Sequence, residues 1–194
     1  MGTLRTFLAA AVTGAAVTVS GLGQTPLHDR AVLADFAGRL QIYVELKAAA
    51  AQTVLPIVSL TDVAEIQRRT EALATVIRSA RGNARQGDLF TADVQPLIRR
   101  AIHAGCEGEY AALVLLIREE LTGPLPAPAI HGRWPAAVPV PTMLPGLLAA
   151  LPPLPANLQY RFMGTALVLI DIDANLILDF VPDAIPITTA PTPH

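Results

Sequence analysis

Asp171-Ile172-Asp173-Ala174-Asn175 places three oxygen-bearing side chains at alternate positions, the opening spacing of a loop that wraps a calcium ion. In such a loop Asp171, Asp173 and Asn175 would share one hard cation. The rest of that pattern is missing: the sixth position is Leu176 where the sharp turn needs Gly, and the twelfth is Pro182 where a bidentate Glu belongs. A hairpin turn with Asn175 in the left-handed conformation accounts for the same residues with fewer requirements.

His103 and Cys106 stand three apart in a helical stretch, with Glu107 and Glu109 just beyond. A thiolate–imidazole pair or a metal site would use them, but a structural zinc wants four ligands and a cysteine nucleophile wants a base oriented by a third group. No second CxxC or HxxxH supplies these, so the simpler expectation is an exposed histidine near a helix end beside a buried thiol. Arg78, Arg81 and Arg85 form an i, i+3, i+7 stripe, with Arg68-Arg69 before it and Arg99-Arg100 after it. Such a stripe reads as a solvated face or an interaction surface. No G-x-S-x-G elbow, phosphate loop, HExxH or dinucleotide fingerprint occurs, so no catalytic residue and no cofactor is assigned, and an enzyme is not expected.

The elements that must position these residues follow from periodicity. Phe36, Leu40, Tyr43, Ala50 and Val54 are spaced as a helical seam in which Lys47 fills the one polar place, and Pro56 stops the helix. Asp62 with Glu65 announces a second helix whose seam runs Val63, Ile66, Thr70, Leu73, Ile77, Ala80 and Ala84, with Gly82 marking an early end if it is not tolerated. Thr91 is expected to cap a third helix with Val94, Leu97, Ile98, Ala101 and Ile102 on one face, and Glu109 to Leu121 reads as a buried fourth. From Gly123 to Pro155 prolines recur, interrupted by a short strand at Ile130 to Trp134 and a helical turn at Met143 to Ala150, which suggests an extended connector laid on the helices. After Ala156 the period becomes two, and Gly164 and Asp173-Ala174-Asn175 divide the run into a three-stranded meander. Leu167, Leu169, Ile177 and Phe180 should face the helices, with Asp171 and Asp179 outward or at strand ends.

Arg5, the apolar run from Phe7 to Val19 and the small residues Ser20 to Gly23 have the layout of a secretory signal peptide, with Gln24 the expected new N-terminus. The run is shorter than the roughly 20 apolar residues of a membrane span, so no transmembrane segment is expected after cleavage. A formal net charge of −2 argues against nucleic acid as partner, which demands a basic surface. The balance is uneven along the chain: residues 61–100 hold seven basic and five acidic side chains, whereas 157–194 hold Arg161 against four Asp. With 52% hydrophobic residues and one cysteine, stability must come from packing and not from internal disulfides.

The stretch from Ile77-Arg78-Ser79-Ala80-Arg81 to Gly87-Asp88-Leu89-Phe90-Thr91, then Leu151-Pro152-Pro153-Leu154-Pro155 and Leu158-Gln159-Tyr160-Arg161-Phe162-Met163-Gly164, resembles a family of uncharacterised exported bacterial proteins. That resemblance implies location and architecture and no activity. The Pro-rich lead-in, Tyr160-Arg161-Phe162, Gly164 and Leu167 to Asp171 also resemble the terminal hairpin of periplasmic nickel/cobalt-homeostasis proteins, which implies a metal-handling role. The expectation is an α+β chain: signal peptide 1–23, a helical bundle of three to four helices in 24–123, a Pro-rich connector 124–156, a C-terminal three-stranded antiparallel β-meander packed on the helices at 157–185, and a flexible tail 186–194. Its function would be non-catalytic binding of an envelope protein or a small ligand in the periplasm or outside the cell. Metal homeostasis and a Cys/His-dependent enzyme are the alternatives.

Overall fold

The computed structural model describes residues 26–57, 61–106, 127–135 and 143–185. The order of elements is α1 (Leu27–Gln52), α2 (Val63–Ala80), α3 (Val94–Gly105), α4 (Pro145–Ala150), β1 (Leu158–Met163), β2 (Ala166–Asp171) and β3 (Leu176–Val181). This is the α+β arrangement expected, helices followed by an antiparallel meander in the order β1-β2-β3. Among the described residues no helix is long and apolar enough to cross a membrane. The signal segment, the helix expected at Glu109 to Leu121 and the tail 186–194 lie outside the described residues, as does much of the connector.

On α1 the seam is buried as its spacing requires: Val32, Phe36, Leu40, Tyr43 and Ala50 face inward. The α2 start also follows the sequence, since the Asp62 carboxylate accepts from the Ala64 and Glu65 amides at 2.9 and 3.1 Å, two of the donors a helix N-terminus leaves unfilled. Its end takes the earlier of the two alternatives: α2 stops at Ala80, just ahead of Gly82, so Ala84 lies beyond the helix. α3 begins after a turn at Thr91, whose carbonyl, not its hydroxyl, receives the Val94 and Gln95 amides. Gly105 lets α4 cross α3 closely: a Cβ there would lie 2.8 Å from Leu147 Cα and 3.0 Å from the Gly146 carbonyl oxygen.

Helices and sheet share one core. Phe36 of α1 stacks on Phe90 at 5.5 Å between ring centroids, and Phe90 stacks on Tyr160 of β1 at 6.3 Å, tying the first helix to the first strand through the loop between α2 and α3. Each such side chain, fully buried, contributes about 1.5–3 kcal/mol. Gly164, φ 61°, sits at the first central position of the two-residue β1–β2 loop, where a positive φ matches the strand twist. Asn175, φ 46°, closes the β2–β3 loop in the left-handed conformation.

The sheet departs from simple alternation in β3. Leu169 pairs with Asp179 but Ile170 pairs with Ile177, so Leu178 is an extra residue, a β-bulge. The bulge resets the phase: Leu176, Leu178 and Val181 join Leu167 and Leu169 in the helix-side core, while Ile177 and Phe180 go to the other face. The expectation that Ile177 and Phe180 face the helices is therefore corrected. On that second face Trp134, Met163, Val168, Ile170 and Ile177 form a separate cluster, so Trp134 covers the sheet and does not lie on the helices. The expected strand at Ile130 to Trp134 is a turn at Ile130-His131 with a partial pairing: the His131 amide donates to the Ile177 carbonyl and the Ile177 amide to the Gly132 carbonyl.

Candidate functional site

Two carboxylates, Asp171 and Asp179, are fully buried on the helix side of the sheet, which corrects the outward placement expected for them. Asp171 does end β2, and it is filled with donors. The Tyr43 hydroxyl donates to Oδ2 at 2.6 Å, the Asp173 and Ala174 amides donate to Oδ1 at 2.9 and 3.1 Å, and the Lys47 ammonium stands 2.9 Å away. Lys47 also reaches Asp173 at 2.7 Å. The one polar place in the α1 seam thus serves the sheet: Lys47, its side chain 14% exposed, puts its ammonium at the point on which the two carboxylates converge. Burial, reinforced by Asp171, raises the Tyr43 hydroxyl far above its ordinary pKa, which keeps it a proton donor.

The calcium reading of Asp171, Asp173 and Asn175 meets this geometry directly. Asn175 Oδ1 is turned away to accept the Trp134 amide at 3.3 Å, and a lysine stands where the spacing would put a cation. Among the described residues no group of three or more His, Cys, Asp or Glu side chains converges for a metal ion.

Asp179 reaches the helix side because the bulge turns it there. Its oxygens accept amides from the α2–α3 loop, Gly87 at 2.9 Å, Leu89 at 2.7 Å and Phe90 at 2.8 Å, together with its neighbour Phe180 at 2.8 Å. Sequence reasoning placed no role here, since only the bulge tells which face Asp179 takes.

Arg78, Arg81 and Arg85 do not form one solvated face. Arg78 pairs with Glu71, which also pairs with Arg133. Arg81, past the end of α2, turns inward over the Tyr43 ring, 5.5 Å from its centroid, and points at the Leu178 carbonyl at 3.4 Å. Burial lowers its pKa. Arg85 alone of the three is exposed, and its amide is held by Asp88. His103 is exposed on α3 and Cys106 is buried in the core at 1% exposure, while Glu107 and Glu109 lie outside the described residues.

The surface carries concavities of two kinds. A groove of about 680 Å³ at the C-terminal end of α1 has an apolar floor of Val54, Leu55, Pro56, Ala72 and Val76 with Glu65, Arg68 and Arg69 beside it, and the Arg69 guanidinium is spent on the Leu55 and Val54 carbonyls at 2.6 and 3.4 Å. A second groove, about 380 Å³, runs along the outer edge of β1. Consecutive strand residues, Leu158 to Arg161, form one side of it; Met143, Leu148, Pro152, Pro153 and Leu154 form the other. Leu148 is 49% exposed there. Among the described residues Arg161 is the one charged residue lining this groove. Its guanidinium lies 5.3 Å from the Trp134 ring centroid, one terminal nitrogen donates to Gln159 Oε1 at 3.1 Å, and its buried Nε has no acceptor among the described residues.

Comparison of the chain with protein-family models, with curated proteins and with solved structures gives no match.

Proposed function

We propose that the protein is exported and acts by non-catalytic binding, holding an envelope protein or a small ligand at the groove beside β1. The observation that carries this reading is the groove itself, an apolar wall facing the β1 edge, with Arg161 the charged side chain among the described residues that line it. The interior polar groups support a structural part for the rest: Asp171, Asp179, Lys47 and Tyr43 are occupied with one another or with backbone amides, leaving none of them to act on a substrate. Export is supported by the N-terminal layout of charge, apolar run and small residues.

Photo-crosslinking tests both parts. A benzophenone amino acid placed at Gln159, which is exposed on β1, should give a discrete adduct in the envelope fraction of a bacterial host, on protein whose N-terminus is Gln24. The same probe at Ile42, exposed on α1, should not. Equal adducts from both positions, or none from Gln159, would remove the binding site; full-length protein in the cytosol would remove export.

A further inference from the structure

The two edges of the sheet are finished differently. On β3 the outward groups are covered one by one: Ile177 by the His131-Gly132 turn, the Leu178 carbonyl by Arg81 and the Phe180 carbonyl by the Gln86 amide at 3.1 Å. On β1, among the described residues, all but one are left uncovered. The Ile172 amide donates to the Asn157 carbonyl at 3.0 Å, which with the β1–β2 register makes Asn157, Gln159, Arg161 and Met163 the residues bonded to β2. Leu158, Tyr160 and Phe162 therefore turn their backbone groups outward. The Leu158 amide is taken by the Pro155 carbonyl at 3.3 Å; among the described residues no backbone group pairs with the remaining five.

We propose that this edge receives an extended peptide segment of a partner protein, apolar and acidic by turns, as a fourth strand whose carboxylate meets Arg161. This rests on the binding reading above and narrows it to one occupant. The open donors and acceptors repeat every second residue, about 6.8 Å apart, a spacing that a second strand matches and a compact small molecule does not. β1 has no proline or lysine, the bulge is on β3, and Arg161 is the one charge it carries. The wall of Leu148, Pro152, Pro153 and Leu154 supplies contact for alternate apolar side chains. Charge selects the rest, because among the described residues Arg161 is the charged side chain that lines the groove and no acidic one lines it.

Trp134 is the only tryptophan in the chain and lies against the Arg161 guanidinium, so its emission reports on the site. The probe is a blocked hexapeptide alternating glutamate and valine, titrated into the purified full chain. Its emission change should saturate below about 1 mM. A lysine–valine version should bind at least about tenfold more weakly, and a glutamate–valine version N-methylated at alternate amides should not saturate. Arg161→Gln should weaken the acidic peptide by about tenfold, and so should Gln159→Glu, an exposed substitution that leaves the Trp134 contact in place.

Equal binding of the N-methylated peptide would overturn strand addition, and equal binding of the lysine peptide would overturn the charge selection. Absence of saturation by the acidic peptide would overturn the whole proposal, as would a concentration-dependent dimer dispersed by Gln159→Glu, which would assign the edge to a second copy. An adduct from Gln159 without peptide saturation leaves the binding function and removes the strand; failure of both removes both.

Discussion

Asp179→Ala removes the acceptor that fastens the α2–α3 loop to β3. The Leu89 and Phe90 amides reach its Oδ2 at 2.7 and 2.8 Å in a buried setting, and the Gly87 amide reaches Oδ1 at 2.9 Å nearer the surface. Each buried amide left unpaired costs about 1–3 kcal/mol, so the two dry ones alone amount to about 2–6 kcal/mol. Removing a buried carboxylate relieves part of this, and the expected net loss is about 3 kcal/mol. That is a large share of the roughly 5–15 kcal/mol that holds a domain folded. Asp179→Asn keeps one oxygen acceptor and should cost about half as much.

Urea denaturation followed by circular dichroism gives both values, and amide exchange at Leu89 and Phe90 should quicken first in the alanine variant. A loss under about 1 kcal/mol for alanine, or a greater loss for asparagine than for alanine, would refute the assignment of Asp179 as the loop's acceptor. The pH dependence is a second readout. Burial pushes the Asp179 carboxyl above the ordinary carboxylate range, against the pull of the Gly87, Phe90, Leu89 and Phe180 amides. A raised carboxyl takes up its proton more readily in the folded chain than in the unfolded one. Acidification from neutrality through the raised folded pKa therefore favours folding, until the unfolded carboxyl protonates near about pH 4. The wild type should gain stability relative to Asp179→Asn across that window, and an opposite slope would mean that the amides outweigh burial.

Three further outcomes are expected. Lys47→Met leaves the Asp171 carboxylate buried without its cation and should cost about 2–4 kcal/mol in urea denaturation; calcium should raise the melting temperature of this variant and not that of the wild type, where the ammonium holds the place. Gly105→Ala drives a methyl into the α4 backbone at Leu147 and should lose about 1–3 kcal/mol, while alanine at Gly38, where nothing stands within 4 Å, should be neutral or stabilising by thermal melting. Cys106, buried at 1%, should react with a thiol reagent only as fast as the chain opens; labelling at the rate of an exposed thiol would contradict its place in the core.

The sequence by itself determined the elements and much of their facing. The four-three spacing of Phe36, Leu40 and Tyr43, the Asp62 cap, the turn at Gly164 and the left-handed Asn175 are local consequences of residue type, and each stands in the structure as read. Lys47 was visible too, as a charge in an apolar seam, though its partners 124 and 126 positions away were not. Tertiary structure alone decided the rest. One bulged residue at Leu178 exchanges the faces of β3, and with them the fates of Asp179, Ile177 and Phe180, because strand alternation carries no record of an insertion. Arg81 left its expected surface because α2 ends one residue before it, and the β1 groove exists only where a strand edge meets a wall contributed by the chain before it. A pattern with period 3.6 or 2 says which way a side chain points from its own backbone. What it then meets depends on chain brought from far along the sequence, and that the pattern does not encode.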